Sequence, residues 1–178
     1  TFFDRFSEDT GVTLESLSTF EGIAEAARRY YQWTDEATPD LENDGKAFFA
    51  VDSVFNLTQV AMRQLGDSFV EDGQLKTSGD SYNRVHETLL EAAVKGGYAV
   101  YDGYSSDLSK TGDIVCSIGS TAGVVFYGDT VTYPDNTKEK VQYRVLPYPV
   151  FREGVPVAIQ RGAGMAVIRS DKKKERAA

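Results

Sequence analysis

Two places in the chain set small, hydroxylic residues directly behind an apolar run: Val51-Asp52-Ser53 and Ile118-Gly119-Ser120-Thr121. If each run is a strand and a helix follows it, the first backbone N–H groups of that helix lack internal acceptors. They then face the crevice at the carboxyl edge of the sheet, where α/β proteins hold ligands. Asp52, Ser53, Gly119, Ser120 and Thr121 are therefore candidate binding residues for a polar solute, offering amides, hydroxyls and room for close approach. Capping the following helix is the ordinary alternative for each serine or threonine. It is the pair of junctions in one short chain that points to a site.

A third candidate is Gln160-Arg161-Gly162-Ala163-Gly164. Two glycines inside a β-rich pattern mark a bulge or a close backbone approach, and Arg161 would present a guanidinium there; a purely structural bulge fits the same residues. No dinucleotide fingerprint is present, because the third glycine is missing and β-branched residues follow. Among the aromatic residues, Tyr101 is the best ligand candidate, since Tyr101-Asp102-Gly103-Tyr104-Ser105-Ser106-Asp107 is polar and loop-like. Trp33, Tyr98, Tyr104, Phe126 and Tyr127 fit packing roles as well as sugar stacking.

Enzymatic patterns fail on their own terms. Gly119-Ser120-Thr121-Ala122-Gly123 is not a nucleophile elbow, for its centre is threonine. The sole histidine, His86, falls mid-helix beside Val85 and Glu87, and Asp40-Leu41-Glu42-Asn43-Asp44-Gly45 begins like a calcium loop but has Val51 at the twelfth position. Cys116 lies on an apolar run and reads as inert core, while the sequon Asn56-Leu57-Thr58 falls inside a predicted helix. A hydrolase or transferase would need Asp52 to converge with Asp113 or Glu71 as an acid/base pair. No catalytic residue, metal ligand or cofactor is expected.

The 178 residues suffice for one domain, and no apolar stretch is long enough to cross a bilayer. The net charge of -8 disfavours nucleic acid, the only dense basic run being Lys172-Lys173-Lys174-Glu175-Arg176. A single cysteine excludes an internal disulfide.

The elements that would position these residues follow from periodicity and caps. Ser18 with Glu21 forms a capping-box pattern ahead of Phe20, Ile23, Ala27, Tyr30 and Tyr31, predicting a helix over 19–34. Residues 38–45 form a polar loop, and residues 47–51 a short buried strand. Asp52 or Ser53 caps a helix carrying Leu57, Val60, Ala61 and Leu65, which Gly66 ends. After a second polar loop, Asp80 is the expected N-cap of a helix with the stripe Tyr82, Val85, Leu89 and Ala93, stopped at Gly96-Gly97. Thr111-Gly112-Asp113 turns into a strand over 114–118, followed by a short helical or irregular segment. Further strands are expected at 141–146, 155–160 and 165–168. Residues 170–178 resemble a capped helix start that is cut off, so both ends are expected to be truncations. Together these predict one α/β lobe over 1–178, a mixed β-sheet flanked by helices.

In register along the chain, Gly96-Gly97-Tyr98, residues 111–123, Leu146-Pro147-Tyr148-Pro149 and residues 160–167 resemble family 1 extracellular solute-binding proteins. These are the sugar-type receptors of bacterial ABC importers. The resemblance implies a periplasmic-binding-protein-like (type II) fold, of which this chain corresponds to the second lobe. It also implies that Asp52, Ser53, Phe55 and Asn56 line the cleft at the first junction. Gly119, Ser120, Thr121 and Ala122 would line it at the second, and Arg161, Gly162 and Ala163 at the bulge. No tryptophan stands at these junctions, so the sugar-stacking platform common in the family is absent from them. The implied function is delivery of a small polar solute, a sugar or oligosaccharide, to the permease subunits of an importer, together with the missing N-terminal lobe. The implied location is the periplasm or the outer face of the membrane, with a lipid anchor on the full-length protein as an option. The alternatives are a hydrolase or transferase for polar substrates, and a metabolite-sensing domain on the same fold.

Overall fold

In the computed structural model the described residues are 2–160, Gly162 and Gly164. Arg161, Ala163, the expected strand over 165–168 and the expected helix start over 170–178 lie outside them.

The centre of the fold is β1 (Phe49–Val51), which has a parallel neighbour on each side: β4 (Tyr98–Ala99) and β5 (Cys116–Ile118), in the order β4-β1-β5. Phe48, Phe49 and Ala50 are all buried although adjacent side chains alternate between faces, as a parallel strand covered on both faces requires. The cover comes from α1 (Phe2–Thr10), α2 (Phe20–Asp35), α3 (Val54–Gln64) and a long helical segment. That segment runs from α4 (Asp80–Val85) through a π-turn (His86–Leu90) into α5 (Glu91–Val94). Phe6, Phe20, Tyr30, Met62, Leu89 and Phe151 bury their side chains almost completely in this shared core. The chain is an α/β fold, as its strand and helix pattern predicts.

Helix ends were well marked, but two starts differ from expectation. The N-cap of α2 is Thr19, whose hydroxyl accepts from Gly22 N–H at 3.0 Å, while Ser18 belongs to a 3-10 turn (Ser16–Ser18). Glu21 does not close a capping box; its carboxylate accepts from Arg84 at 2.7 Å and from the Arg152 amide at 3.1 Å. Likewise Asp80 is the first residue of α4, and Gly79 at φ +99° precedes it as the cap. Both predicted glycine stops hold. Gly66 N–H reaches Arg63 O and Asp67 N–H reaches Met62 O, and Gly96 and Gly97 repeat the pattern with Ala93 and Ala92. Gly66 and Gly96 have positive φ, and each pair of bonds is a Schellman termination.

The late strands are the main correction. Residues 141–146 and 155–160 form no ladder; the antiparallel pairs are β2 (Val70–Glu71) with β3 (Gln74–Leu75), and β6 (Thr130–Thr132) with β7 (Lys138–Lys140). The first hairpin occupies what reads in sequence as a polar loop, and it turns on Asp72-Gly73, both at positive φ. β-Branched residues favour a strand only where an edge can take their N–H and C=O groups. Here Val141 adds one bond to Asp129, Val150 makes one parallel bridge to Thr19, and Val145 and Val155 stay 80% and 66% exposed. Parallel and antiparallel pairings thus fall in separate sheets among the described residues.

Candidate functional site: the carboxyl rim of the parallel sheet

Parallel pairing decides which segments meet. Val51 is in register with Ile118, and Asp52 N–H donates to Ile118 O at 3.1 Å, so the chain leaves β1 and β5 side by side at the same sheet end. β4, on the other flank of β1, ends at that edge too. Three strand exits therefore open onto one rim. They carry Asp52 to Asn56, residues 100–107, and Gly119 to Phe126.

The first junction is a true helix start. Ser53, in extended conformation, accepts the Asn56 amide on its hydroxyl at 3.3 Å and caps the eleven residues of α3. That leaves the first-turn amides of Val54 and Phe55 without an acceptor inside the helix. At the second junction Ser120 caps a 3-10 helix (Thr121–Phe126) by accepting from Ala122 at 3.0 Å. Six residues of 3-10 helix carry little dipole, so what this segment brings is exposed surface rather than field.

Beneath the rim lies a polar chain that sequence reasoning missed. The Asp52 Oδ1 atom accepts both the Ser105 amide, at 2.9 Å, and the Ser105 hydroxyl, at 2.6 Å. Ser105 Oγ also lies 2.8 Å from the Tyr127 hydroxyl, which in turn bonds Ser117. Each hydroxyl has one proton to give. Since Ser105 spends its proton on Asp52, Tyr127 must donate to Ser105 and Ser117 to Tyr127. All donors run toward the carboxylate, which ties the exits of β1, β4 and β5 to one another and lets each bond strengthen the next.

The signal for this chain was faint. Ser117 is a polar residue inside the apolar run Ile114–Ile118, and Ser105 begins α6 (Ser105–Thr111), a helix that reads as loop because its inward face is serine. Ser105, Ser106 and Ser109 are buried where an amphipathic helix would show leucine or valine.

Of the predicted site residues, Asp52, Ser53, Phe55, Asn56, Gly119, Ser120, Thr121 and Ala122 all stand on the rim, and Tyr101 follows β4 onto it. Phe55 is exposed at the head of α3, with its ring 5.6 Å from that of Phe69. Tyr101 and Tyr104 are exposed, as are Val124, Val125 and Phe126. Gly162 is exposed, with open space around it, and Gln160 and Gly162 lie outside any ladder; Arg161 and Ala163 of the expected bulge lie outside the described residues. Of the proposed acid/base partners, Asp113 precedes β5 at the opposite end of the sheet from Asp52, and Glu71 is in the β2–β3 hairpin, so neither pair converges through the strands.

The other candidates take structural places. His86 opens the π-turn, exposed, with Tyr82 6.3 Å away ring to ring. The acidic turn after α2 is stitched by Asp35 accepting the amides of Asp44 and Gly45, and no group of potential metal ligands clusters among the described residues. The apolar void between Phe49, Leu57, Val85 and Tyr98 measures about 10 Å³, room for one water at most, while an open hollow of about 480 Å³ lies on the acidic turn beside Asp35, Pro39, Leu41 and Asn43.

Cys116 sits on β5 beneath the rim. Burial pushes its thiol up to about 12, since the charged thiolate would be desolvated there. The reactive species is the thiolate, so at pH 8 the native protein should react with a thiol reagent on the order of 10³-fold more slowly than a free cysteine. Rapid labelling without denaturant would contradict this placement, and labelling in urea should be fast.

No protein-family model matches this chain, and no curated protein matches it. Among the described residues no helix is long and apolar enough to cross a membrane.

Proposed function

We propose that this chain is one lobe of a two-lobe solute-binding receptor, of the periplasmic-binding-protein-like (type II) kind, that delivers a sugar or oligosaccharide to an ABC importer. The observation that carries this proposal is the convergence of three parallel strand exits, β1, β4 and β5, on one exposed rim holding Ser53, Ser120, Asp52 and the rings of Phe55 and Tyr101. Amides, hydroxyls and a carboxylate supply directional partners for ligand hydroxyls, and aromatic faces suit the C–H faces of a sugar ring.

A rim alone is open to water and holds a ligand weakly. A second lobe closing over it would exclude water and strengthen each polar bond to the ligand. The apolar side chains of Val145, Leu146, Val155 and Ile159, left exposed by the described residues, agree with segments that continue toward such a partner. The reaction class is binding without chemistry, and the place of action is outside the cytoplasmic membrane, with the receptor handing its solute to permease subunits.

A thermal-shift screen of the full-length protein against sugars, polyols and phosphorylated glycerols tests this. A ligand at one hundred times its Kd stabilises by about 2.7 kcal/mol through mass action alone. An unchanged melting temperature across the whole panel would remove the carbohydrate assignment.

A further inference from the structure

Resting on that reading of the rim as ligand-facing, we infer that the rim sorts ligands by charge: it accepts a ring presenting hydrogen-bond donors, neutral or ammonium-bearing, and rejects phosphorylated or carboxylated ones. The deciding residue is Asp52.

Its two carboxylate oxygens have different fates. Oδ1 is saturated by the amide and hydroxyl of Ser105, whereas Oδ2 has no hydrogen bond among the described residues. Oδ2 is directed at Gly119: a Cβ on that residue would lie 2.4 Å from it, and one on Gly123 would lie 3.9 Å away. Residue 119 is thus kept bare of side chain where this oxygen points, and the carboxylate, tied through Ser105 to Tyr127 and Ser117, stands against the exposed Gly119–Ala122 segment.

The surroundings reinforce its sign. A helix start such as that of α3 ordinarily attracts an anion. Here the residue before the cap is Asp52 itself, so a negative charge already stands where an anionic ligand would approach. The three rim segments, 52–56, 100–107 and 119–126, include Asp52, Asp102 and Asp107 and not one lysine or arginine. Lys110, one turn beyond, is paired with Asp107 at 3.2 Å. A phosphate or carboxylate entering this rim would be desolvated beside like charge, with no cation in these three segments to answer it, an unfavourable burial. A sugar hydroxyl or an ammonium group instead donates to Oδ2 and gains a charge-assisted bond.

The test is a set of titrations on the full-length protein with matched probes: glucose, galactose and glycerol, with the amino and phosphate derivative of each. The expected result is that neutral or amino probes bind and their phosphates bind at least tenfold more weakly. Asp52→Asn keeps the shape and the Ser105 contact, and should weaken the neutral and amino probes about tenfold while narrowing their advantage over the phosphates. A merely structural role would weaken all probes alike and leave that ratio unmoved, which would overturn the inference. A phosphate binding as well as its neutral parent would overturn it too and leave the receptor reading standing. Absence of binding by every probe would remove both.

Discussion

Gln64→Leu should lower the unfolding free energy by about 2–5 kcal/mol, read as a fall of about 1–2.5 M in the urea midpoint. The Gln64 side chain is buried at the end of α3, where its amide nitrogen donates to Pro149 O at 2.9 Å and its carbonyl oxygen accepts the Phe151 amide at 3.0 Å. Leucine has nearly the same bulk and satisfies neither. Two backbone groups would then be left buried and unpaired, each costing about 1–3 kcal/mol, offset in part by the better burial of an apolar side chain. Neighbouring ties would not compensate, because they hold other atoms: Val155 N–H bonds Gln64 O, and Glu21 and Arg84 hold Arg152. A leucine variant unfolding within a few tenths molar of the parent would show that residues 149–151 are not held this way.

Gly22→Ala runs against the usual rule. In a helix, alanine is favoured over glycine by about 1 kcal/mol, so the exchange would ordinarily stabilise α2. At this position the new Cβ would come 1.8 Å from the Ser16 carbonyl oxygen and 2.9 Å from the Thr19 hydroxyl that caps the helix. The obstacle is backbone and cannot swing aside. To make room the 3-10 turn must move, and Ser18 O, which accepts from Val150 N–H at 3.0 Å, moves with it. Overpacking of this kind typically costs 1–3 kcal/mol. A net loss of about 2 kcal/mol lowers the melting temperature by about 4–8 °C in a domain of this size. A variant melting above the parent would mean the turn over Ser16 yields freely.

How much of this was legible depended on whether a residue's partner was local. Caps and glycine stops act within a turn or two, so α2, α3 and the Gly66 and Gly96 terminations could be read directly, with errors of one residue where Thr19 and Gly79 outcompeted Ser18 and Asp80. The rim at Asp52 to Asn56 and Gly119 to Ala122 was legible because apolar runs ending in small polar residues mark strand exits, and parallel pairing of β1 with β5 joined them. The π-turn at 86–90 leaves Val85 and Leu89 of the predicted stripe buried, but after it the buried position is Ala92 and not the predicted Ala93, which like Tyr82 is only partly buried. What escaped was set by distant partners. Helix α6 shows serine on its buried face because the neighbour it meets is a polar network, not an apolar wall. The segments at 141–146 and 155–160 have strand-like residues, yet their pairing depends on an edge that the described residues do not give them. Tyr127 had no distinguishing mark in sequence; its place as the hinge between Ser105 and Ser117 exists only in three dimensions.

The clasp on residues 149–155 also fixes when this α/β fold can be completed. Ser18, Glu21, Gln64 and Arg84 all wait for a stretch that leaves the ribosome more than sixty residues after any of them. At roughly 5–20 residues per second the nascent chain spends several seconds or more with Phe20 uncovered and Gln64 unpaired. During that interval α2 and α3 present greasy, half-finished surfaces of the kind that chaperones recognise, and the final stretch acts as the latch that retires them.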